Sequence, residues 1–233
     1  MAGSQSQNPI YVALDTRSLE QALALAEAVK KHVGGLKIGL EFVNACGPEG
    51  IRAVISIGVP VFVDVKLHDI PNTVAGAMRA LAPLGAGIIN VHASGGAAMM
   101  RAAADAAAEF SPRPKVIGVT VLTSLSSDDL QAIGVSDPPL DQVTRLARLA
   151  ASAGLAGVVC SPQEIGAVRA ACGPNFMIVT PGVRPAGAAL GDQKRVMTPK
   201  EAMEAGADIL VIGRPITAAA DPAAAAAAIF AEL

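Results

Sequence analysis

The feature that most constrains this chain is a rhythm. Short, near-continuously apolar, β-branched runs recur at 10–14, 36–40, 61–65, 87–91, 116–121, 157–160, 177–180 and 209–212. Between them lie Ala- and Leu-rich stretches of helical period at 19–31, 48–57, 73–84, 97–107, 141–153, 162–171, 199–205 and 222–233. Strands covered on both faces read as unbroken apolar runs, whereas strands with one wet face alternate. Strand followed by helix, eight times over in 233 residues, predicts an α/β fold closed into a compact (β/α)8 (TIM) barrel, with a doubly wound open sheet as the alternative. The last two helices each open on a proline, Pro199 and Pro222, whose fixed φ suits a first helical position. No linker, charge run or change of composition divides the chain, so 1–233 reads as one domain with 1–9 as a flexible N-terminal extension.

Composition then narrows the function classes. Residues are 52% hydrophobic, and 18 Lys plus Arg against 20 Asp plus Glu leave a net charge of −2. That is enough burial to order a chain, and it gives no basic field for general nucleic-acid or membrane-surface binding. Apolar stretches are broken by Gly, Pro or charges, and MAGSQSQNP lacks the features of a signal peptide, so no membrane span and a cytoplasmic location are expected. Cys46, Cys160 and Cys172 are far apart and without metal-binding spacing, and read as buried reduced thiols. With 3% aromatics and no Trp, the core has to be filled by Val, Ile, Leu and Ala.

Only 16% of residues are charged, yet several charges stand where apolar strands end: Asp15, Lys37, Asp64 and Lys66, with Asp69 just beyond. Residues two apart in a strand share a face, so Asp64 and Lys66 point the same way. If that way is the barrel interior, they meet Lys37 and Asp15 at its mouth. Any one of these could belong to a structural ion-pair network, but four on three consecutive strands favour function. An alternating Asp/Lys array holds each charge by its neighbours and can bind an anion and deliver a proton. No thiolate nucleophile, Ser/His/Asp set or three-ligand metal cluster accompanies it. His68 and His92 are further candidates at the mouth, and His32 reads as an exposed helix-end residue.

The run 209–212 leads into Gly213 and Arg214 and then a short helical turn. Barrels hold phosphate at this position, where free backbone N–H groups and a guanidinium can surround it. Arg184 and Gln193 in the preceding loop strengthen that reading, while Arg195 reads as an exposed loop charge. The stretches 125–139 and 183–195, rich in Gly and polar residues, are candidate lids.

The run Asp64-Val65-Lys66-Leu67-His68-Asp69-Ile70-Pro71-Asn72-Thr73 closely resembles the DxKxxDIPNT signature of the orotidine 5′-phosphate decarboxylase family. Other matches follow in order: VALD ending at Asp15, LKIGLEF around Lys37, NVHASGG around His92, GVTVLTS with Thr123, VVCSPQE, VTPGVRP with Arg184, GDQKRVMTP with Gln193 and VIGRPIT with Gly213 and Arg214. The resemblance covers 10–222. A bare DxKxxD is shared with phosphosugar decarboxylases and aldol-type synthases of the same barrel group, and the continuation into IPNT favours the orotidine branch.

The resemblance implies a barrel of the ribulose-phosphate-binding type, working as a homodimer without metal or organic cofactor. It would convert orotidine 5′-monophosphate to uridine 5′-monophosphate and CO2, the last step of de novo pyrimidine synthesis. By position, Lys66 would protonate C6 as CO2 leaves and Asp64 would face the substrate carboxylate. Asp69 would complete the array from the partner subunit. Asp15 and Lys37 would hold ribose hydroxyls, with Lys37 also steadying Asp64. Ile70 and Thr73 would reach the ligand, Thr73 from the partner. Thr123 would meet the pyrimidine edge, Gln193 would bridge base and phosphate, and Arg184, Gly213 and Arg214 would bind the phosphate. The rivals are Mg2+-dependent keto-gulonate-phosphate decarboxylases and hexulose-phosphate synthases, a silent phosphoribosyl-ligand sensor, and a barrel whose polar mouth is purely structural.

Overall fold

The computed structural model describes residues 8–185 and 197–233. Its strands are β1 (Ile10–Ala13), β2 (Gly35–Gly39), β3 (Val61–Leu67), β4 (Ile88–His92), β5 (Lys115–Val119), β6 (Gly157–Val159), β7 (Met177–Pro181) and β8 (Ile209–Ile212). All pair in parallel and in chain order, and β1 also pairs with β8, so the sheet closes into a barrel. Closure rules out the open doubly wound sheet. The helices are α1 (Leu19–Val29), α2 (Leu40–Ile55), α3 (Pro71–Leu81), α4 (Gly96–Ala108), α5 (Ser127–Ala132), α6 (Pro139–Ser152), α7 (Ile165–Cys172), α8 (Pro199–Glu204), α9 (Arg214–Thr217) and α10 (Pro222–Ala231). Short polar side chains start several of them: Ser18, Thr198 and Asp221 each accept a backbone N–H of the first turn, and α8 and α10 carry the expected leading proline.

Alternation along each strand sorts side chains into two sets. One set faces outward: Ile10, Val12, Leu36, Ile38, Val63, Ile89 and Val91 are buried against Phe42, Met78, Met99 and their neighbours on the helices. Each such aliphatic side chain contributes roughly 1.5–3 kcal/mol when removed from water. The inward set begins with an apolar layer of Tyr11, Phe62, Ile88, Ile117, Val179 and Ile209. Two residues further along the same inward faces come Lys37 on β2, Asp64 on β3 and Asn90 on β4, so strand period alone lifts polar groups onto a greasy floor.

Several expectations need correction. The second helix starts at Leu40, not at 48; Gly47, at φ +60°, breaks it before Pro48 restarts it, so Gly-Pro marks a kink inside the helix. The stretch 125–139 contains α5, closed by a reciprocal cap in which Ser126 Oγ accepts the Asp129 N–H at 3.3 Å and Asp129 Oδ2 accepts the Ser126 N–H at 2.8 Å. Only Cys160 is fully buried; Cys46 and Cys172 are half-buried. Residues 1–7 of the expected extension lie outside the described residues. Asn8 and Pro9 belong to the barrel instead: Asn8 donates to the His32 carbonyl at 2.8 Å and Pro9 accepts the Leu210 N–H at 2.9 Å. His32 is accordingly half-buried.

Charges away from the mouth do structural work. Arg169 on α7 donates to the carbonyls of Gly173, Pro174, Phe176 and Gly206 and pairs with Asp208 at 2.8 Å, tying the lower ends of β7 and β8 together.

Candidate active site

Four strand ends build the polar mouth. Lys37 is buried, and its Nζ donates to Asp15 Oδ1 at 2.7 Å and lies 4.0 Å from Asp64 Oδ2. Lys66 Nζ donates to the other oxygen, Asp64 Oδ1, at 2.6 Å. Asp64 therefore sits between two ammonium groups, and the order Asp15, Lys37, Asp64, Lys66 is a continuous chain of opposite charges running across three strands. Asp64 and Lys66 share a cavity of about 180 Å3 with Phe62, Val119, Val159, Val211 and Thr123. Apolar walls around this partly exposed charge pair reduce the screening of its field by water, which strengthens the action of a fixed ammonium on a reacting atom.

Gly39 makes room for this chain. It is the ladder partner of Asp64, two residues beyond Lys37 on the inward face, and a Cβ there would lie 3.0 Å from Lys37 Nζ and 3.6 Å from Asp15 Oδ1. The lysine ammonium comes up tightly against the place where a Cβ would stand.

Next to Lys66 stand the two histidines. Their rings stack at 5.3 Å between centroids and 26° between planes, and His92 Nδ1 lies 2.7 Å from Ser94 Oγ. Burial, with the neighbouring His68 and Lys66 adding to it, holds His92 below the usual imidazole range. A neutral ring beside the lysine is the consequence.

Asp69 does not join the array within one chain. It is exposed, and its Oδ1 accepts the N–H of Ile70 at 2.6 Å. Ile70, 67% exposed, caps α3, and Pro71 sets the first turn on which Thr73 stands exposed. On the far side, Arg184 follows β7, is buried, and donates to the Val183 carbonyl at 2.9 Å. Gly213 precedes α9, and Arg214 is that helix's exposed first residue. Gln193 and Arg195 lie outside the described residues, as does most of the second candidate lid.

The sequence reading passed over Asn90. It is wholly buried, donates from Nδ2 to Asp64 Oδ1 at 2.7 Å and accepts the Lys66 backbone N–H on Oδ1 at 2.7 Å. The available signal was a single polar residue inside the apolar run of β4, in inward phase with Ile88.

A larger cavity, about 400 Å3, opens at the opposite end of the barrel among Asn8, Tyr11, Lys115, Met177, Asp208 and others. Asp208 there is already bound to Arg169 and the Ile178 N–H. Convergent chemistry, not volume, places the candidate site at the mouth.

Comparison with known proteins points the same way. Residues 8–229 match the model of the Orotidine 5′-phosphate decarboxylase / HUMPS family. An orotidine 5′-phosphate decarboxylase of Paramagnetospirillum magneticum is 58% identical over 231 residues, covering 97% of this chain and 98% of the relative. One from Moorella thermoacetica is 54% identical over 239 residues, covering 100% and 95%. Among solved structures, the orotidine 5′-phosphate decarboxylase of Lactobacillus acidophilus superposes with a TM-score of 0.86 at 39% identity, over 97% of this chain and 98% of that one.

Proposed function

The chain belongs to the orotidine 5′-phosphate decarboxylase / HUMPS family, and on that premise we propose that Lys66 is the proton donor of its reaction. That reaction is the decarboxylation of orotidine 5′-monophosphate to uridine 5′-monophosphate and CO2, the activity named for its relatives at 53–58% identity. The observation that carries the residue assignment is Lys66 Nζ held at 2.6 Å from Asp64 inside an apolar-walled cavity.

The chemistry asks for such a group. Breaking the bond between C6 and the carboxylate leaves its electron pair in the ring plane, where the π-system cannot take it up. An ammonium fixed beside C6 stabilises that charge and then transfers its proton to the carbon. Asp64, placed against the substrate carboxylate, repels the ground state and loses that repulsion when neutral CO2 departs. Lys37 and Asp15, joined at 2.7 Å, offer a donor and an acceptor to ribose hydroxyls. Thr123, on the wall of the same cavity, meets the base edge. Arg184, Arg214 and the Gly213 N–H take the phosphate, with Gln193 bridging base and phosphate. Phosphate binding remote from C6 is expressed at the reacting centre by ordering the mouth.

The working unit is a homodimer. Asp69, Ile70 and Thr73 form an exposed edge beside Lys66, and in a pair of chains Asp69 and Thr73 serve the partner's site. Among the described residues no helix is long and apolar enough to cross a membrane, and a nucleotide substrate fits a cytoplasmic enzyme.

The test is turnover of orotidine 5′-monophosphate by purified protein in EDTA, beside Lys66→Ala. Metal-independent turnover that falls by about 10^4-fold or more in the variant is expected for a group that both stabilises charge and transfers the proton. Turnover that requires Mg2+, or a variant that keeps its rate, overturns the reading.

A further inference from the structure

Lys66 has a left-handed backbone, φ +50°, and it is the only described residue other than glycine with positive φ. Side chains with a Cβ resist that conformation, so something has to hold it. The cause lies in the ladder between β3 and β4. Val63 faces Ile89, but the next paired residues are Leu67 and Val91, so β3 spends four residues where β4 spends two. Asp64, Val65 and Lys66 bulge out of register, and the Lys66 N–H loses a ladder partner.

Asn90, between Ile89 and Val91, replaces that partner with its side chain. Its Oδ1 accepts the Lys66 N–H and its Nδ2 donates to Asp64 Oδ1, both at 2.7 Å. An amide has one acceptor end and one donor end, and both ends are matched here: a backbone N–H needs an acceptor and a carboxylate needs a donor. The same oxygen of Asp64 that receives Asn90 also receives Lys66 Nζ, at 2.6 Å. One buried side chain therefore fixes the backbone from which Lys66 springs and the carboxylate to which its ammonium is tied.

We infer that Asn90 is a positioning residue for decarboxylation, setting where the Lys66 ammonium stands relative to the bound pyrimidine. The inference rests on Lys66 being the proton donor. Asn90 itself touches no reacting atom. Around it the charged and titratable groups are Lys37 from β2, Asp64 and Lys66 from β3 and His92 from its own strand; towards β5 its ladder partner is Ile117.

The experiment compares Asn90→Asp, Asn90→Ala and Lys66→Ala with the native enzyme for kcat and KM across pH, with folding followed by circular dichroism. Asn90→Asp is nearly isosteric. When ionised it still accepts the Lys66 N–H but faces Asp64 with a like charge; when protonated it presents a carbonyl and an O–H and copies the amide. At alkaline pH both Asn90 variants are expected to lose kcat by about 100-fold, the scale of one preorganised hydrogen bond, with KM changed less than about 3-fold. As pH falls, Asn90→Asp is expected to recover relative to native and Asn90→Ala is not. A merely structural residue would give no such pH-dependent rescue. Asn90→Asp within about 3-fold of native kcat at every pH, or no folded protein from either variant, overturns the inference. If Lys66→Ala keeps its activity, the proton-donor reading itself fails, and the two failures are told apart.

Discussion

Gly39 and Lys37 crowd each other: a Cβ on the glycine would lie 3.0 Å from the lysine Nζ, so any other residue there would press on the ammonium, which would have to give by a few tenths of an ångström. The contact is with the far end of a flexible side chain, so a substitution there displaces the charge without breaking the fold. Gly39→Ala is expected to lower kcat/KM by about 10-fold or more while the Tm moves little, since misplacement of a catalytic group by a fraction of an ångström suffices. Steady-state kinetics and a thermal melt check this; a native kcat/KM would show that Lys37 has room elsewhere.

The phosphate assignment makes a prediction about substrate pairs. Arg214→Ala should lose about 10^2-fold or more in kcat/KM on orotidine 5′-monophosphate and far less on orotidine, because the guanidinium acts only through the phosphate. Equal losses on the two substrates would remove Arg214 from that role.

Asp69 gives a prediction about assembly. Lys66→Ala and Asp69→Ala subunits, each inactive alone, should regain part of the native rate when mixed and allowed to exchange, because one site of each hybrid dimer has both residues intact. Demonstrated exchange with no activity would mean that sites are not shared.

His92 supplies a pH signature for stability. Its imidazole is held below the ordinary value of about 6.5, mainly by burial, so between the lowered value and 6.5 the unfolded chain binds more protons than the folded one. Stability then rises with pH through that window, and the Tm is expected to fall as pH drops below about 6.5 until the folded-state value is passed. His92→Asn should flatten this part of the Tm profile. An unchanged slope would assign the acid sensitivity to other groups.

Much of the architecture and much of the site were legible in the residues because each had a periodic signature. Unbroken apolar runs implied strands covered on both faces, and the two-residue period put Asp64 and Lys66 on one face. Their ion pair shows that they do meet, although the backbone between them is bulged and the period alone does not describe it. Asn90 was missed for a related reason: a lone amide in a strand has no pattern, and its value depends on a ladder slip visible only when two strands are paired. The first turns of α2 were missed because Gly-Pro reads locally as a helix start; Pro48 does restart the helix after non-helical Gly47, but another helical segment from Leu40 precedes it.

Beneath the array, Tyr11, Phe62, Ile88, Ile117, Val179 and Ile209 form a buried apolar layer between the polar mouth and the cavity at the other end. They carry no chain of exchangeable protons except the Tyr11 hydroxyl, which burial makes a poorer acid than usual. On the proposed mechanism Lys66 gives up a proton at each turnover, and with an apolar layer beneath it the replacement is expected to come through the mouth. On that mechanism the mouth that admits the substrate is also the route by which the acid is recharged.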